Sequence, residues 1–243
     1  MNAKKTTIFV SILLGMAGQT WSHEAHREKL AEMHHAPAAK QFVTPTATPL
    51  AARFDLKSGK VSSKWYLWRA ADRVEMADLA TGQNNIWERT GQNDYSYLRV
   101  FNKDQRIVEY SPGEIRTRHA EPDWNKLASV VSPQLLQSLK RGKSRTQFGQ
   151  LAVHYTGTVN SQRVDLWWLE QAQLPARLTI TSPRQHLEMT LKELRVDAPA
   201  EWPRATPEKL AAYGRIDAAD FGDMENDPFV SRVLRQDGHE HTH

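Results

Sequence analysis

Cysteine is absent from this chain of 243 residues. Neither disulfide bonds nor thiolate chemistry can therefore stabilise the fold or run a reaction. Clustered basic charge is missing too: the 32 Lys and Arg residues are scattered among 28 Asp and Glu, and the net charge is only +4. This weak balance lacks the electrostatic footprint of a nucleic-acid-binding protein.

Sequence motifs for catalysis are also missing. The chain has no Gly-x-Ser-x-Gly elbow, no phosphate-binding loop and no His-Glu-x-x-His helix. A cysteine nucleophile is excluded by composition. The sequence therefore predicts a protein that is not an enzyme.

Apolar runs of membrane-spanning length do not occur. A short run, Ile8 to Leu14, follows Lys4 and Lys5 and precedes small residues that suit cleavage before His23. This order is typical of a secretory signal peptide, which we predict over residues 1–22. Removal of the signal peptide leaves a net charge of +2. The signal peptide predicts a periplasmic protein, and an uncleaved membrane anchor is the alternative that stays open.

The remaining chain, about 220 residues long, suits one large β domain with tails. Residues 23–49 form a His-rich polar segment that ends in a Pro/Thr-rich linker. Residues 50–198 carry the strand signals. Residues 199–243 form a C-terminal extension with an acidic segment and a His-rich tail. Within this extension, we predict a solvated or docking loop over residues 215–229. The alternative is that Phe221, Phe229 and Val230 pin this segment against the sheet.

Strand signals recur at short intervals between residues 50 and 197, separated by turn residues such as Ser58-Gly59 and Pro112-Gly113. Connections this short require antiparallel neighbours, because a parallel crossover needs a dozen residues or more. The predicted strands cover residues 50–57, 62–70, 72–79, 84–90, 94–102, 105–111, 113–119, 145–148, 151–159, 162–170, 174–182 and 185–195.

Two short helices interrupt the strands. Asp123 and Ser132-Pro133 are typical of helix starts, because Asp and Ser cap the first backbone N–H groups and Pro suits the first helical position. Two further helical segments follow in the C-terminal extension. The predicted helices cover residues 123–131, 132–139, 207–213 and 228–235. The predicted fold is thus mainly β, with an antiparallel sheet and two short helices between two β halves.

Some predicted strands are apolar on both faces. Trp65 to Trp68 and Leu166 to Leu169 place large apolar side chains on each side, whereas an ordinary antiparallel strand buries one face. Three interpretations stay open: a filled two-layer core, an apolar cavity for an acyl chain or peptide segment, and a protein–protein surface. The candidate ligand-binding residues are Trp65, Leu67, Trp68, Tyr95, Tyr97, Trp167 and Trp168.

Two of these segments carry a resemblance to a known family. Residues 66–76, YLWRAADRVEM, resemble the strand, Arg-Pro-x-Arg kink and strand of the periplasmic lipoprotein-carrier fold (LolA/RseB type), with Ala70 in place of the usual Pro. Residues 165–178 resemble that group's "Leu-Trp-Leu-Asp, then Leu-Pro-x-Arg" hairpin. The resemblance covers roughly residues 50–197. It implies a curved antiparallel sheet, an open half-barrel plugged by the helices between the two β halves. It also implies an apolar concave face that binds a lipid, a lipoprotein acyl chain or an envelope protein partner.

Seven of the ten histidines lie in two terminal blocks. Neutral imidazole is a common ligand of Cu and Zn, and short His-rich tracts are a compositional sign of metal binding. The alternative function is therefore an envelope metal-handling protein that binds Cu or Zn through these blocks. The candidate metal ligands are His23, His26, His34, His35, His239, His241 and His243.

Overall fold

The computed structural model describes residues 49–183 and 185–237. They belong to one compact unit, Thr44–His243, of the two into which the chain divides. The predicted signal peptide, the polar segment before the linker and the seven terminal histidines lie outside the described residues. Among the described helices, none combines the length and the apolar character that a membrane crossing requires.

Twelve strands form one open, curved sheet. Their order across the sheet is β12-β6-β5-β4-β3-β2-β1-β11-β10-β9-β8-β7, and β12 alone pairs in parallel, with β6. The predicted mainly β fold with an antiparallel half-barrel is thereby confirmed. The strands are β1 Leu50–Ser58, β2 Val61–Arg69, β3 Arg73–Asp78, β4 Gln83–Gly91, β5 Asp94–Phe101, β6 Arg106–Tyr110, β7 Lys140–Gln147, β8 Gln150–Val159, β9 Gln162–Leu169, β10 Leu174–Ser182, β11 Gln185–Arg195 and β12 Gly214–Asp217.

Short helices connect the two halves of the sheet and follow its last long strand. As the sequence predicts, Asp123 and Ser132 cap two of them: their side chains accept hydrogen bonds from the backbone N–H groups of Lys126 and Leu135. The helices are α1 Pro112–Thr117, α2 Trp124–Ser129, α3 Pro133–Ser138, α4 Pro207–Ala212 and α5 Pro228–Gln236, and a 3₁₀ helix spans Ala218–Gly222.

Two strand predictions need correction. Residues 113–119 do not form a strand, because Ser111 and Glu114 make a capping box and Pro112 opens a helix, α1. The strand predicted at 145–148 begins earlier, at Lys140, since the chain turns extended at Leu139 as soon as α3 ends.

A side-chain contact across the sheet shows which way the sheet curves. Arg69 ends β2, and Ala172 lies in the turn between β9 and β10. Between three and four strand spacings separate them, about 14 to 19 Å across a flat sheet, yet the Arg69 guanidinium donates to the Ala172 carbonyl at 2.8 Å. The sheet therefore curls toward the face that carries Arg69. We call this the inner face and its opposite the outer face.

The inner face carries the main apolar core. Phe54, Leu67, Leu166 and Met189 lie on it with no measurable exposure. On the outer face of β8 to β11, polar side chains such as Asp165 alternate with them. This alternation is the pattern of an antiparallel sheet that buries one side.

The outer face of β2 to β6 is covered by the C-terminal extension. The Trp202 ring packs 5.1 Å from Tyr66 and 6.2 Å from Trp68, measured between ring centroids. Further along the extension, Ala205 packs in an apolar cluster with Ile86 and the residues around it. This cover explains why β2 is apolar on both faces. Around Trp68, the outer face is a filled two-layer core, which is the first of the three interpretations of the apolar strands.

The extension then passes around the sheet edge. β12 adds to β6, and α5 packs on the inner face, where the rings of Phe229 and Phe101 meet edge to face at 5.0 Å. Phe221, Phe229 and Val230 are all buried. The segment 215–229 is thus pinned to the sheet by these three residues.

Candidate functional site

An aromatic row crosses the inner face on β4, β5 and β6. Trp87 stacks on Tyr97, with centroids 4.1 Å apart and ring planes within 10° of parallel. Tyr97 in turn stacks on Tyr110 at 5.2 Å. The register explains the row, because these three residues lie directly opposite one another on neighbouring strands. The result is a flat apolar strip about 10 Å wide, from two strand spacings.

A second aromatic pair closes one end of this strip. Trp124, the first residue of α2, stacks on Tyr95 at 5.9 Å. The Arg89 guanidinium lies 4.5 Å from the Trp124 ring, within cation–π distance. Helix α2 is therefore placed on the inner face by its own N-terminal tryptophan.

The other end of the strip is polar and lies under α5. Arg99 donates to both carboxylate oxygens of Asp237, at 2.6 and 2.8 Å. Burial alone lowers the pKa of Arg99, but Tyr97 and Asp237 raise it by more, so the guanidinium stays charged. Burial also raises the pKa of Tyr97. Its hydroxyl is therefore protonated at neutral pH and donates to Asn85 Oδ1 at 2.6 Å.

Two buried donors on the inner face, Arg69 Nε and Trp87 Nε1, have no hydrogen-bond partner among the residues that the structure describes. The other nitrogens of Arg69 donate to the carbonyls of Ala128, in α2, and Ala172, at 2.7 and 2.8 Å. Burial lowers the pKa of Arg69 to about 10, so it is still charged at pH 7. Unpaired buried donors are costly and rare, and an oxygen of a bound ligand would satisfy them.

The helical cover is incomplete between these two ends. Met76 and Tyr97 are both half-buried, although they lie on the inner face of β3 and β5, near the middle of one half of the sheet. Their neighbours Leu67 and Asn85 are buried. Met76, Asn85, Trp87 and Tyr97 thus form a candidate binding surface, which we call the inner-face window.

The backbone between α2 and α3 is strained. Val130 has a φ of +68°, in the left-handed region that β-branched residues rarely adopt. The residue is also buried. Strain of this kind costs about 1 to 3 kcal/mol and persists only where the surrounding structure holds it.

The structure divides the seven residues predicted to bind a ligand between the two faces. Neighbouring residues of a strand point to opposite sides, so Trp68 and Trp167 lie on the outer face, away from the rest. Trp68 is under Trp202, and Trp167 has His154 stacked at 4.7 Å and the Arg145 guanidinium 3.8 Å from its ring. The residues brought together on the inner face are Trp65, Leu67, Tyr95, Tyr97 and Trp168.

Sequence reasoning missed most of the inner-face window. Trp87 shares a hairpin with Tyr97, and matching their positions across the turn would have paired them. Met76 and Asn85 gave no signal, because each is a single ordinary residue in a strand. Arg69 was noted only as part of the family motif.

Among the described residues, no group of three or more His, Asp and Glu side chains is arranged to hold a metal ion. His154 instead makes a 3.1 Å contact with Asp165. The terminal histidines lie outside the described residues, so Cu or Zn binding by them stays a prediction.

A polar cleft of about 240 Å³ lies beside α5, at the start of β4. This volume is below the usual range for small-molecule sites, about 300 to 1,000 Å³. Its position at the sheet end separates it from Met76 and Trp87. The cleft is lined by Thr81, Gly82, Gln83, Phe101, Lys103, Asp104, Arg232 and Gln236.

Comparison with known proteins gives likenesses of structure. No family model matches the sequence, and no curated protein does. Among solved structures, PNGF-II is 10% identical with a TM-score of 0.40, and the match covers 74% of this chain and 33% of PNGF-II. Pseudomonas aeruginosa MucB, solved with MucA, is 16% identical with a TM-score of 0.36, covering 66% of this chain and 56% of that one.

LprF from Mycobacterium bovis is 13% identical, with a TM-score of 0.34, and the match covers 67% of this chain and 94% of LprF. The chain therefore spans about a third of PNGF-II, rather more than half of the MucB chain and nearly all of LprF. A lipoprotein-sorting protein domain from Vibrio parahaemolyticus is also among the matches.

Proposed function

We propose that this chain is a non-catalytic periplasmic binding protein. Its ligand is apolar: the acyl chain of a lipid or lipoprotein, or an apolar segment of a partner protein. The observation that carries the proposal is the inner-face window, in which half-buried Met76 and Tyr97 adjoin a stacked aromatic row. Apolar surface left partly open inside a curved sheet is the usual setting of such a ligand.

The chemistry of the surface favours a chain with a polar end. The row of Trp87, Tyr97 and Tyr110 offers a flat apolar path for methylene groups. The unpaired donors Trp87 Nε1 and Arg69 Nε suit the oxygens of a carboxyl or ester group. Burial of each methylene contributes about 0.8 kcal/mol, so the apolar chain supplies affinity and the donors fix its orientation.

Entry of the ligand requires the cover to open. The α2–α3 segment is the element that moves in this proposal, since Val130 is strained and Arg69 holds the segment through the carbonyl of Ala128. Opening would relieve the strained φ and widen the inner-face window, which the helices leave only partly open. Ligand burial then offsets the loss of the helix contacts.

The proposal is tested by replacing Met76 with Gln, a polar side chain of similar size. We expect this variant to bind a fluorescent fatty acid about ten-fold more weakly, because burying an amide against the acyl chain costs about 1 to 2 kcal/mol. The measurement is a fluorescence titration of the wild type and the variant, with circular dichroism to establish that both are folded.

The matched control is Leu79→Gln, which makes the same kind of change at a residue that is 47% exposed. We expect its affinity to equal that of the wild type. Equal affinities for all three proteins, or no saturable binding by the wild type, would contradict the proposal.

Metal handling stays the alternative function. It depends on the concentration of seven of ten histidines in the two terminal blocks. A protein that carries bound Cu or Zn and no apolar ligand would favour this alternative over the inner-face window.

A further inference from the structure

Basic residues are scattered over most of the chain, but the β7–β8 hairpin is an exception. Residues 140–159 include four cations, Lys140, Arg141, Lys143 and Arg145, and no Asp or Glu. Every residue of β7 except the last is exposed. Within the described part of the chain, β7 pairs only with β8 and ends the sheet. The hairpin is therefore a positively charged edge of the sheet, in which Arg141 is paired with Glu170 of the β9–β10 turn at 3.0 Å.

The tip of this hairpin has an unfavourable backbone for its sequence. Phe148 and Gly149 form the two-residue turn, with φ of +50° and +71°. Asn or Gly is preferred at the first of these positions, because a bulky side chain is strained where φ is positive. Phe148 also stays 42% exposed, so its ring gains little from packing within the described residues.

A second exposed apolar residue lies next to the tip. Leu151 is 43% exposed, and its partner across the hairpin is Thr146. Leu151 and Phe148 are two of five large apolar residues with this much exposure in the described chain. The hairpin thus combines an apolar end with a cationic stem.

Protection of the sheet edge explains only part of this arrangement. Edge strands often carry Lys and Arg because exposed charge prevents edge-to-edge aggregation. That role explains the cations of β7. It gives no reason for a strained, exposed Phe at the tip, where an apolar ring raises the risk of aggregation.

We propose that the β7–β8 hairpin docks on an anionic lipid bilayer, with Phe148 and Leu151 entering the interface. Arg145 lies three residues behind Phe148, about 10 Å along the strand, which is the depth of the headgroup layer when the tip is buried 5 to 10 Å. Its guanidinium stacks 3.8 Å from the Trp167 ring, is exposed on its other side and keeps its charge. Lys143 follows at about 17 Å. Anionic lipids attract cations at this range. The proposal goes beyond ligand binding and holds whether or not the inner-face window is occupied.

An acidic peptide added to the free edge of β7 is the competing occupant. It would use the cations and the unpaired backbone of β7. Such a peptide would not contact the turn. Substitution of the tip residue Phe148 therefore distinguishes binding of a bilayer from binding of a peptide.

The deciding variant is Phe148→Asn. Asn-Gly suits the two positive φ values, so we expect this protein to unfold at a higher temperature than the wild type. Loss of the ring should nevertheless weaken its partition into vesicles of phosphatidylethanolamine and phosphatidylglycerol about ten-fold. A loss of binding in a more stable protein cannot be attributed to misfolding.

The measurement is vesicle flotation, using protein expressed from its full-length gene and recovered in the form that the cell produces. The control Leu79→Asn removes a different exposed apolar residue and should bind as the wild type does. Lys143→Gln should bind several-fold more weakly, since each cation near an anionic surface contributes about 1 kcal/mol. Phosphatidylcholine vesicles should bind the wild type poorly, and added salt should weaken binding to anionic vesicles.

Two results would overturn the proposal. One is wild-type binding that is absent or equal on anionic and phosphatidylcholine vesicles. The other is unchanged vesicle binding by Phe148→Asn. A poly-glutamate peptide that binds wild type and Phe148→Asn equally, in the absence of vesicle binding, would assign the edge to a peptide instead.

Discussion

Asp227 has two roles at the start of α5. One carboxylate oxygen accepts from the backbone N–H of Phe229 at 2.7 Å, and the other accepts from the Arg106 guanidinium at 2.6 Å. The bond from Arg106, followed by the backbone bond from Phe229, holds the pKa of Asp227 below its ordinary value. A carboxylate with a lowered pKa stabilises the fold above its ordinary pKa and ceases to do so as pH falls through the folded-state pKa.

The variant Asp227→Asn tests this assignment. Asn also caps helices well, so the substitution removes mainly the charge that pairs with Arg106. We expect a lower thermal unfolding midpoint than the wild type at neutral pH. The difference should close only as the pH falls below the ordinary pKa of Asp and through the lowered folded-state pKa, where the wild-type carboxylate protonates. Unfolding monitored by circular dichroism across this range is the measurement. Asp223→Asn, in the exposed turn before α5, is the control, and a difference independent of pH would contradict the account.

Single residues show how far the sequence predicts the site. The apolar character of both faces of β2 and β9 is visible in the sequence, and the alternation of a strand correctly places Trp65 and Trp68 on opposite sides. What covers each face is not visible, because it depends on contacts between distant parts of the chain. Trp202, which covers Trp68, is 134 positions away in a segment with no clear pattern.

The segment between β11 and α4 is attached to the outer face by a buried carboxylate. Glu75 has no measurable exposure, and its Oε1 accepts from Asn84 Nδ2 at 2.8 Å and from the Ala205 backbone N–H at 2.7 Å. Asn84 also donates to the Pro203 carbonyl at 2.8 Å. This group of hydrogen bonds fixes the extension beside the tryptophan cluster.

Removal of the carboxylate should therefore destabilise the whole domain. We expect Glu75→Ala to lower the free energy of unfolding by about 3 kcal/mol, because it leaves the Asn84 amide and the Ala205 N–H buried without an acceptor. Glu75→Gln keeps one oxygen in place and should cost about 1 kcal/mol. Urea denaturation measures both.

The matched control is Glu88→Ala, since Glu88 lies on the neighbouring strand and pairs with Arg73 at a partly exposed site. Its cost should stay below about 1 kcal/mol. If Glu75→Ala cost no more than Glu88→Ala, the carboxylate would have no role in holding the extension.

Elements were predicted well where local signals agree and poorly where they compete. The helices α2 and α3 were recognised because a capping residue and, for α3, a proline mark their first turns. Elsewhere, turn residues such as Ser58-Gly59 between strand signals marked the strands. At residues 113–119, however, the strand interpretation overlooked the capping box of α1. The short β12 has no signal of its own, since it exists only through its pairing with β6.

The described part of the chain is a curved sheet with two separate covers. The extension, including α4, covers the outer face of β2 to β6, and α2 and α5 lie on the inner face with the inner-face window between them. The order within β1 to β6 and within β7 to β11 follows from short antiparallel connections, whereas the pairings of β1 with β11 and of β6 with β12 join distant parts of the chain. The curvature does not follow from short connections, because it depends on contacts such as that between Arg69 and Ala172, which join residues 103 positions apart.

Native mass spectrometry of the protein purified from its own envelope tests the binding function most directly. The account predicts an added mass of a lipid or acylated species on the wild type, absent or strongly reduced on Met76→Gln and retained on Leu79→Gln. Wild-type protein that is free of any apolar ligand and carries Cu or Zn instead would contradict it.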